Sequence, residues 1–211
     1  MEQLNENKVF EKAIEAAKQV EPLKSSYQVM QIMWEIMKEL KEDPIPGDVL
    51  EIGCKKGKTT VFLAELMSEM FPDKKLYSFD PFTLDGAKKS LKSEADEIDF
   101  IYTIFKKHTN KYKNHIHYRQ SSKRLTEFLG EDIFMMSFID GEHSFDAVWK
   151  DFENVYHMTK SGGIIAIDDY QNGAWPGVVK AYKMIIDGYG DLITVINKTP
   201  KTVFLRVNKI G

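Results

Sequence analysis

Several things are scarce in this chain, and each scarcity narrows what it can be. One cysteine, Cys54, stands among 211 residues. That excludes an internal disulfide framework and suits a reducing compartment. Cys54 lies in a glycine-bounded turn with no activating base beside it in sequence, so it reads as a small filler residue rather than a nucleophile. No apolar run approaches the ~20 residues that a membrane-spanning helix needs, so no membrane partner is expected. The opening Met1–Asn7 has neither a basic start nor an apolar core. It is not read as a signal peptide, and a cytoplasmic location is expected. There is no internal repeat and no low-complexity segment. Excess charge is missing too: the formal net charge is -3, which argues for no particular partner. Acids are absent from Ile101 through Thr126, where Lys106, Lys107, Lys111, Lys113, Arg119, Lys123 and Arg124 lie with His108, His115 and His117. Such a stretch suits a nucleic-acid or phosphate patch. It also suits a solvated helix end balanced by Asp85, Glu94, Asp96, Glu97 and Asp99 just before it, and that plainer reading is preferred.

What is present centres on Met135 to Tyr170. Two short apolar runs, Met135–Ile139 and Ile164–Ile167, each end in acid: Asp140 after the first, Asp168 and Asp169 after the second. Near-continuous hydrophobic runs bounded by glycine suit strands buried on both faces. Between them Phe145, Val148, Trp149, Phe152, Val155 and Tyr156 recur at spacings of three and four, one face of a helix. Strand, helix and strand form a βαβ unit with parallel strands, so their acidic ends share one sheet edge, where open α/β sheets bind ligands. Three carboxylates brought together repel unless something positive joins them. The stretch therefore predicts a cation site at a ligand crevice.

Two helices precede this region. Residues 1–20 place Phe10, Ala13, Ile14 and Ala17 on one face, and a helix over 25–41 carries Tyr27, Met30, Trp34 and Met37, widened by Val29, Ile32, Met33 and Ile36. Strands are predicted over 48–52, 75–80, 115–119, 133–140, 163–168, 192–197 and 202–207. Helices are predicted over 59–70, 83–107, 122–129 and 178–188. The alternation implies an α/β fold, a doubly wound and mostly parallel seven-stranded sheet. The last two strands, joined through Thr199-Pro200, are expected as an antiparallel hairpin at one edge.

Val49 to Thr60 runs from strand to helix through a glycine turn, which allows close backbone approach to a ligand and offers free N–H groups. Gly57-Lys58-Thr59 ends like a P-loop, but Gly53 and Gly57 enclose three residues where that motif needs four. The dinucleotide fingerprint is also imperfect, since Lys55 stands where a tight turn wants glycine. The next strand, Leu76-Tyr77-Ser78-Phe79, closes on Asp80, an acid able to hold ribose hydroxyls. Together Glu51-Ile52-Gly53 with Gly57 and Thr59-Thr60, Asp80, the segment Ile139–Phe145, Gly162-Gly163 with Asp168-Asp169-Tyr170, and Trp175-Pro176-Gly177-Val178 resemble the class I S-adenosylmethionine-dependent methyltransferases. The nearer likeness is to the small-molecule O-methyltransferase branch that includes enzymes of antibiotic sugars and, more distantly, catechol.

The resemblance covers about residues 45–207 and implies a Rossmann-like methyltransferase domain over 45–211. Residues 1–44 form an N-terminal helical extension outside it, expected as a lid or a homodimer contact. It implies S-adenosylmethionine as cofactor, contacted by Glu51, Gly53, Gly57, Thr59, Asp80, Ser121, Ser122 and Asp140. It also implies Mg²⁺ on Asp140, Asp168 and Asp169, assisting methyl transfer to a hydroxyl of a small-molecule acceptor. A base is expected just after Asp140: His143, because its ordinary pKa suits neutral pH, with Glu142 as the alternative. Two other functions remain open from sequence: a non-catalytic adenosyl-ligand-binding module, and a nucleic-acid methyltransferase working through residues 106–124.

Overall fold

A computed structural model describes residues 2–82, 94–131 and 133–209. In chain order the elements are α1 (Glu2–Val20), α2 (Ser26–Glu42), β1 (Asp48–Ile52), α3 (Lys58–Met70), β2 (Leu76–Phe79), α4 (Glu94–Thr109) and β3 (His115–Tyr118). A single 3-10 turn, Ser122–Arg124, leads into α5 (Leu125–Phe128). Then follow β4 (Phe134–Ile139), α6 (Phe145–Met158), β5 (Thr159–Ile167), α7 (Pro176–Tyr189), β6 (Ile193–Lys198) and β7 (Val203–Val207). The expected helix over 83–107 is described only from Glu94, and its first part lies outside the described residues. β5 begins at Thr159, earlier than the glycines suggested, because the β4–β5 register shifts between Phe134 and Met136.

The sheet order is β3-β2-β1-β4-β5-β7-β6. The first five strands pair in parallel, and β7 runs antiparallel between β5 and β6. The chain winds outward from β1 to β3, then restarts on the other side at β4. The strand order thus reverses between β1 and β4, the point at which open α/β sheets leave a crevice at their carboxyl edge.

Period-two alternation assigns the strand side chains to two layers. Val49, Met136, Phe138, Ile164 and Ala166 pack under α1, α2 and α3, while Leu50, Ile52, Ile139, Ile165 and Ile167 pack under α6 and α7. The first layer draws on residues from both sides of position 44. Helix α2 buries Val29, Met30, Met33, Trp34, Ile36, Met37 and Leu40 in it, and Phe10 of α1 stacks on Trp34 with centroids 5.9 Å apart. Tyr27, expected on the same stripe, is 44% exposed.

Candidate functional site

Backbone pairing continues one residue past the strands. Gly53 N–H donates to Phe79 O at 2.9 Å, Asp140 N–H to Ile52 O at 2.8 Å, and Asp168 N–H to Ile139 O at 2.9 Å. These bonds set Gly53, Asp140 and Asp168 side by side at the carboxyl edge. Gly53 has φ 86°, and a Cβ there would stand 1.9 Å from the Asp140 carbonyl oxygen, so no side chain fits where β1 and β4 diverge. Two crevices open from this point. One lies under α2 and is lined by Met30, Met33, Lys58, Thr59, Asp168 and Lys201, among others. The second lies toward β2 and β3, lined by Asp80, Ser121, Ser122, Glu142 and Asp151, among others. At about 190 and 240 Å³, each is smaller than the roughly 300–1,000 Å³ usual for a small-molecule site. Gly53, Lys55 and Asp140 line both, so the crevices meet and form one groove.

Asp80 holds the turn between them. Its Oδ2 accepts from Cys54 N–H at 2.7 Å and Lys55 N–H at 2.8 Å, and its Oδ1 from Phe82 N–H. Lys55 has φ 47°, a left-handed backbone that costs a non-glycine residue about 1 kcal/mol or more. The two amide bonds to Asp80 offset that cost, which is how lysine stands where a tight turn wants glycine. Gly57, also left-handed at φ 91°, starts α3 beneath Phe105 and lines neither crevice. Cys54 is buried, with its thiol pushed up chiefly by that burial, as a packing residue would be.

Glu51 is fully buried below the turn and also lines neither crevice. Its Oε2 accepts from Thr60 Oγ1 at 2.6 Å and Ser78 Oγ at 3.2 Å, and its Oε1 has no partner. Burial raises its carboxyl to about 8, against the lowering effect of those two hydroxyls. A carboxyl raised on folding binds its proton more tightly in the native state. Its contribution is present below the ordinary value of 4.5 and is lost as pH rises through about 8. Thermal unfolding followed from pH 5 to 8 is therefore expected to show falling stability. The Glu51→Gln variant should lack the part due to this group, on the order of a few kcal/mol. Parallel wild-type and variant curves would refute the assignment.

The acid cluster is arranged differently from the expected metal trio. Asp168 is 4% exposed, with Lys201 Nζ ion-paired to its Oδ2 and the Thr202 hydroxyl donating to its Oδ1. The oxygen and nitrogen ligand atoms that do converge, within 4.8 Å of one another, belong to Asp140, His143 and Asp169. Asp168 is drawn away because the β6–β7 hairpin delivers a cation to it. Burial would lower the Lys201 ammonium, but Asp140 and Asp168 outweigh this and raise it. Asp169 is lowered despite its burial, by the approach of His143 and Lys201. Burial first, and then Asp168, raise Asp140 to about 7.

The residues expected to act as base both stand off the α2-side crevice. His143 stacks on Trp175 with centroids 4.2 Å apart. Its Nε2 lies 3.3 Å from Asp169 Oδ2 and 3.9 Å from Asp140 Oδ1, without the alignment of a hydrogen bond. It lines neither crevice and sits behind Asp140. Gly177 permits this packing, since a Cβ there would stand 2.4 Å from the His143 carbonyl oxygen. Glu142 is exposed, accepts from Ser144 Oγ at 2.7 Å, and lines the second crevice only.

Lys201, Lys58 and Asp151 were not singled out by sequence. Lys58 faces the first crevice half-buried, its ammonium lowered by burial. Asp151, on the buried face of α6, lines the second and is raised to about 7 by its burial, against a hydrogen bond from Ser122. An acid among the apolar residues of a helical stripe was the available signal for Asp151. In the basic stretch, Arg119 pairs with Asp99 and Arg124 with Glu127, while Lys106 and Lys111 lie over Tyr102 and Tyr112. These pairings match a solvated helix end. No described helix is long and apolar enough to cross a membrane.

A protein-family model described as a methyltransferase domain matches residues 50–170. Among curated proteins, an uncharacterized protein of Acanthamoeba polyphaga mimivirus is 29% identical over 138 residues, a match spanning 65% of this chain and 58% of that one. Among solved structures, the O-methyltransferase NovP superposes with a TM-score of 0.69 at 13% identity, over 85% of this chain and 79% of that one. Apo CalS11, described as a TDP-rhamnose 3'-O-methyltransferase, gives 0.62 at 16%, over 85% and 79%. The SAH-bound Podospora anserina methyltransferase PaMTH1 gives 0.59 at 13%, over 95% and 88%. At such identities these likenesses establish the fold.

Proposed function

Since this chain belongs to the methyltransferase-domain family, we propose that it transfers a methyl group from S-adenosylmethionine to a hydroxyl of a small-molecule acceptor. The observation that carries this reading is the pair of crevices meeting at Gly53, Lys55 and Asp140. Methyl transfer needs two ligands approaching end to end, with the reacting atoms where their sites join. The second crevice fits the cofactor. Its floor is the bare backbone at Gly53, and Asp80, Ser121, Ser122 and Asp151 offer polar groups along its length. The first crevice, apolar at Met30 and Met33 and polar at Lys201, would take the acceptor, while Thr59, which also lines it, would keep its expected contact with the cofactor. When bound, the cofactor supplies an electrophilic methyl group on a positively charged sulfur. In the basic stretch Arg119 and Arg124 are paired with Asp99 and Glu127 of the same chain, which favours a small acceptor over a nucleic acid.

The remaining chemistry belongs to the protein. A hydroxyl is a poor nucleophile until its proton is removed. Asp140 faces both crevices, and a carboxyl held at about 7 suits proton uptake near neutral pH. We assign it the base, in place of His143 or Glu142. His143 then positions Asp140 from behind. Mg²⁺ on Asp140, Asp168 and Asp169 fits poorly, because the Lys201 ammonium is ion-paired to Asp168, lies 3.9 Å from Asp169 Oδ1, and would stand against a divalent ion there.

Calorimetry with S-adenosylhomocysteine tests the cofactor half. Asp80→Ala should weaken binding by roughly ten-fold or more, the scale of lost charge-assisted hydrogen bonds, because it frees the Cys54 and Lys55 amides. Binding of ATP but not of the adenosyl thioether would overturn the reading.

A further inference from the structure

We propose that Lys201 is the resident counter-cation of the acid cluster at the ends of β4 and β5, a tethered ammonium holding the place that a divalent metal ion would otherwise take. The hairpin tip between β6 and β7 is built to present it. Thr199 N–H donates to Thr202 O at 2.8 Å, and Thr199 Oγ1 accepts from the N–H groups of Lys201 at 3.0 Å and Thr202 at 2.7 Å. Tyr170 N–H donates to Lys201 O at 3.3 Å, and Gln171 Nε2 to Pro200 O at 3.0 Å. The backbone of Lys201 is thus tied both within its turn and to the segment that follows the acid pair.

From that anchor the ammonium reaches Asp168 Oδ2 and lies 3.9 Å from Asp169 Oδ1. With Thr202 on the other oxygen, each carboxylate oxygen of Asp168 already has a donor from the hairpin. Asp140, Asp169 and His143 remain close enough together to share one. His143 is a second sign that a ligand place exists. Its side chain is 10% exposed, it points Nε2 at both carboxylates, and neither ring nitrogen has a hydrogen-bond partner. Two carboxylates and an imidazole suit Mn²⁺ better than Mg²⁺. Lys201 decides whether that place can fill, since a divalent ion there would stand beside a like charge that cannot diffuse away. The lysine side chain is 33% exposed and lines the first crevice. On the reading proposed above, it meets the acceptor oxygen with a positive charge of its own.

The test is titration of the full chain with Mn²⁺, followed by calorimetry and by loss of the free-ion electron paramagnetic resonance signal. Lys201→Met should bind Mn²⁺ at least ~10-fold more tightly than wild type. Lys201→Arg should remain like wild type, and adding Asp140→Asn to Lys201→Met should abolish the gain. Wild-type binding as tight as that of Lys201→Met would overturn the proposal, and so would a folded Lys201→Met with no gain. If Lys201→Met does not fold, Lys201→Gln is read in the same way. S-adenosylhomocysteine titrated into the same samples separates the two claims. If wild type fails to bind it, the methyl-transfer reading falls, while the manganese comparison still judges Lys201.

Discussion

Replacing Asp140 by asparagine is expected to cut turnover by ~10²-fold or more, the usual scale for loss of a general base. Asparagine keeps the shape and cannot take a proton. Because the base works deprotonated, wild-type activity should climb as pH rises through about 7, and the variant should lose that limb. His143→Ala should do less. It removes the ring packed between Trp175 and the two carboxylates, so the expected result is a moderate fall in turnover with a displaced pH limb. Glu142→Gln should change turnover little, since Glu142 faces only the second crevice. The measurement is a pH–rate profile for the three variants with one accepted hydroxyl compound. If His143→Ala removes the limb and Asp140→Asn keeps it, the base is His143.

Removing residues 1–44 is expected to abolish the folded state. The seven apolar residues that α2 buries each contribute about 1.5–3 kcal/mol relative to exposure. Their sum is about 10–20 kcal/mol as an upper estimate, no smaller than the ~5–15 kcal/mol that holds a whole domain together. The cut would also bare Phe62 of α3, now 0% exposed and in edge contact with Phe10, and take one wall from the first crevice. Circular dichroism of the 45–211 fragment should show no cooperative thermal transition. A soluble, cooperatively melting fragment that binds S-adenosylhomocysteine would show instead that the two helices are a separable lid.

Much of this was legible in the sequence because it rests on local rules. The period of the apolar residues determined the strands and helices, and the βαβ pattern determined that Asp140, Asp168 and Asp169 reach one edge of a parallel sheet. Gly53 announced a close backbone approach, and Asp80 an acid beside it. Tertiary structure alone decided which groups meet. Lys201 lies 33 residues from Asp168, in a hairpin whose sequence suggests only a turn, and nothing local says that β7 returns beside β5 to deliver it. His143 follows Asp140 by three residues and reads as a base. The packing of α7, allowed by Gly177, instead stacks it on Trp175 behind the groove. The N-terminal helices carried a plain apolar stripe that had to be covered by the sheet domain or by a second copy, and folding placed it in the core layer on the sheet. A side chain's chemistry is written in its own position, while its charge partners and its access to a ligand depend on chain segments that sequence spacing does not relate.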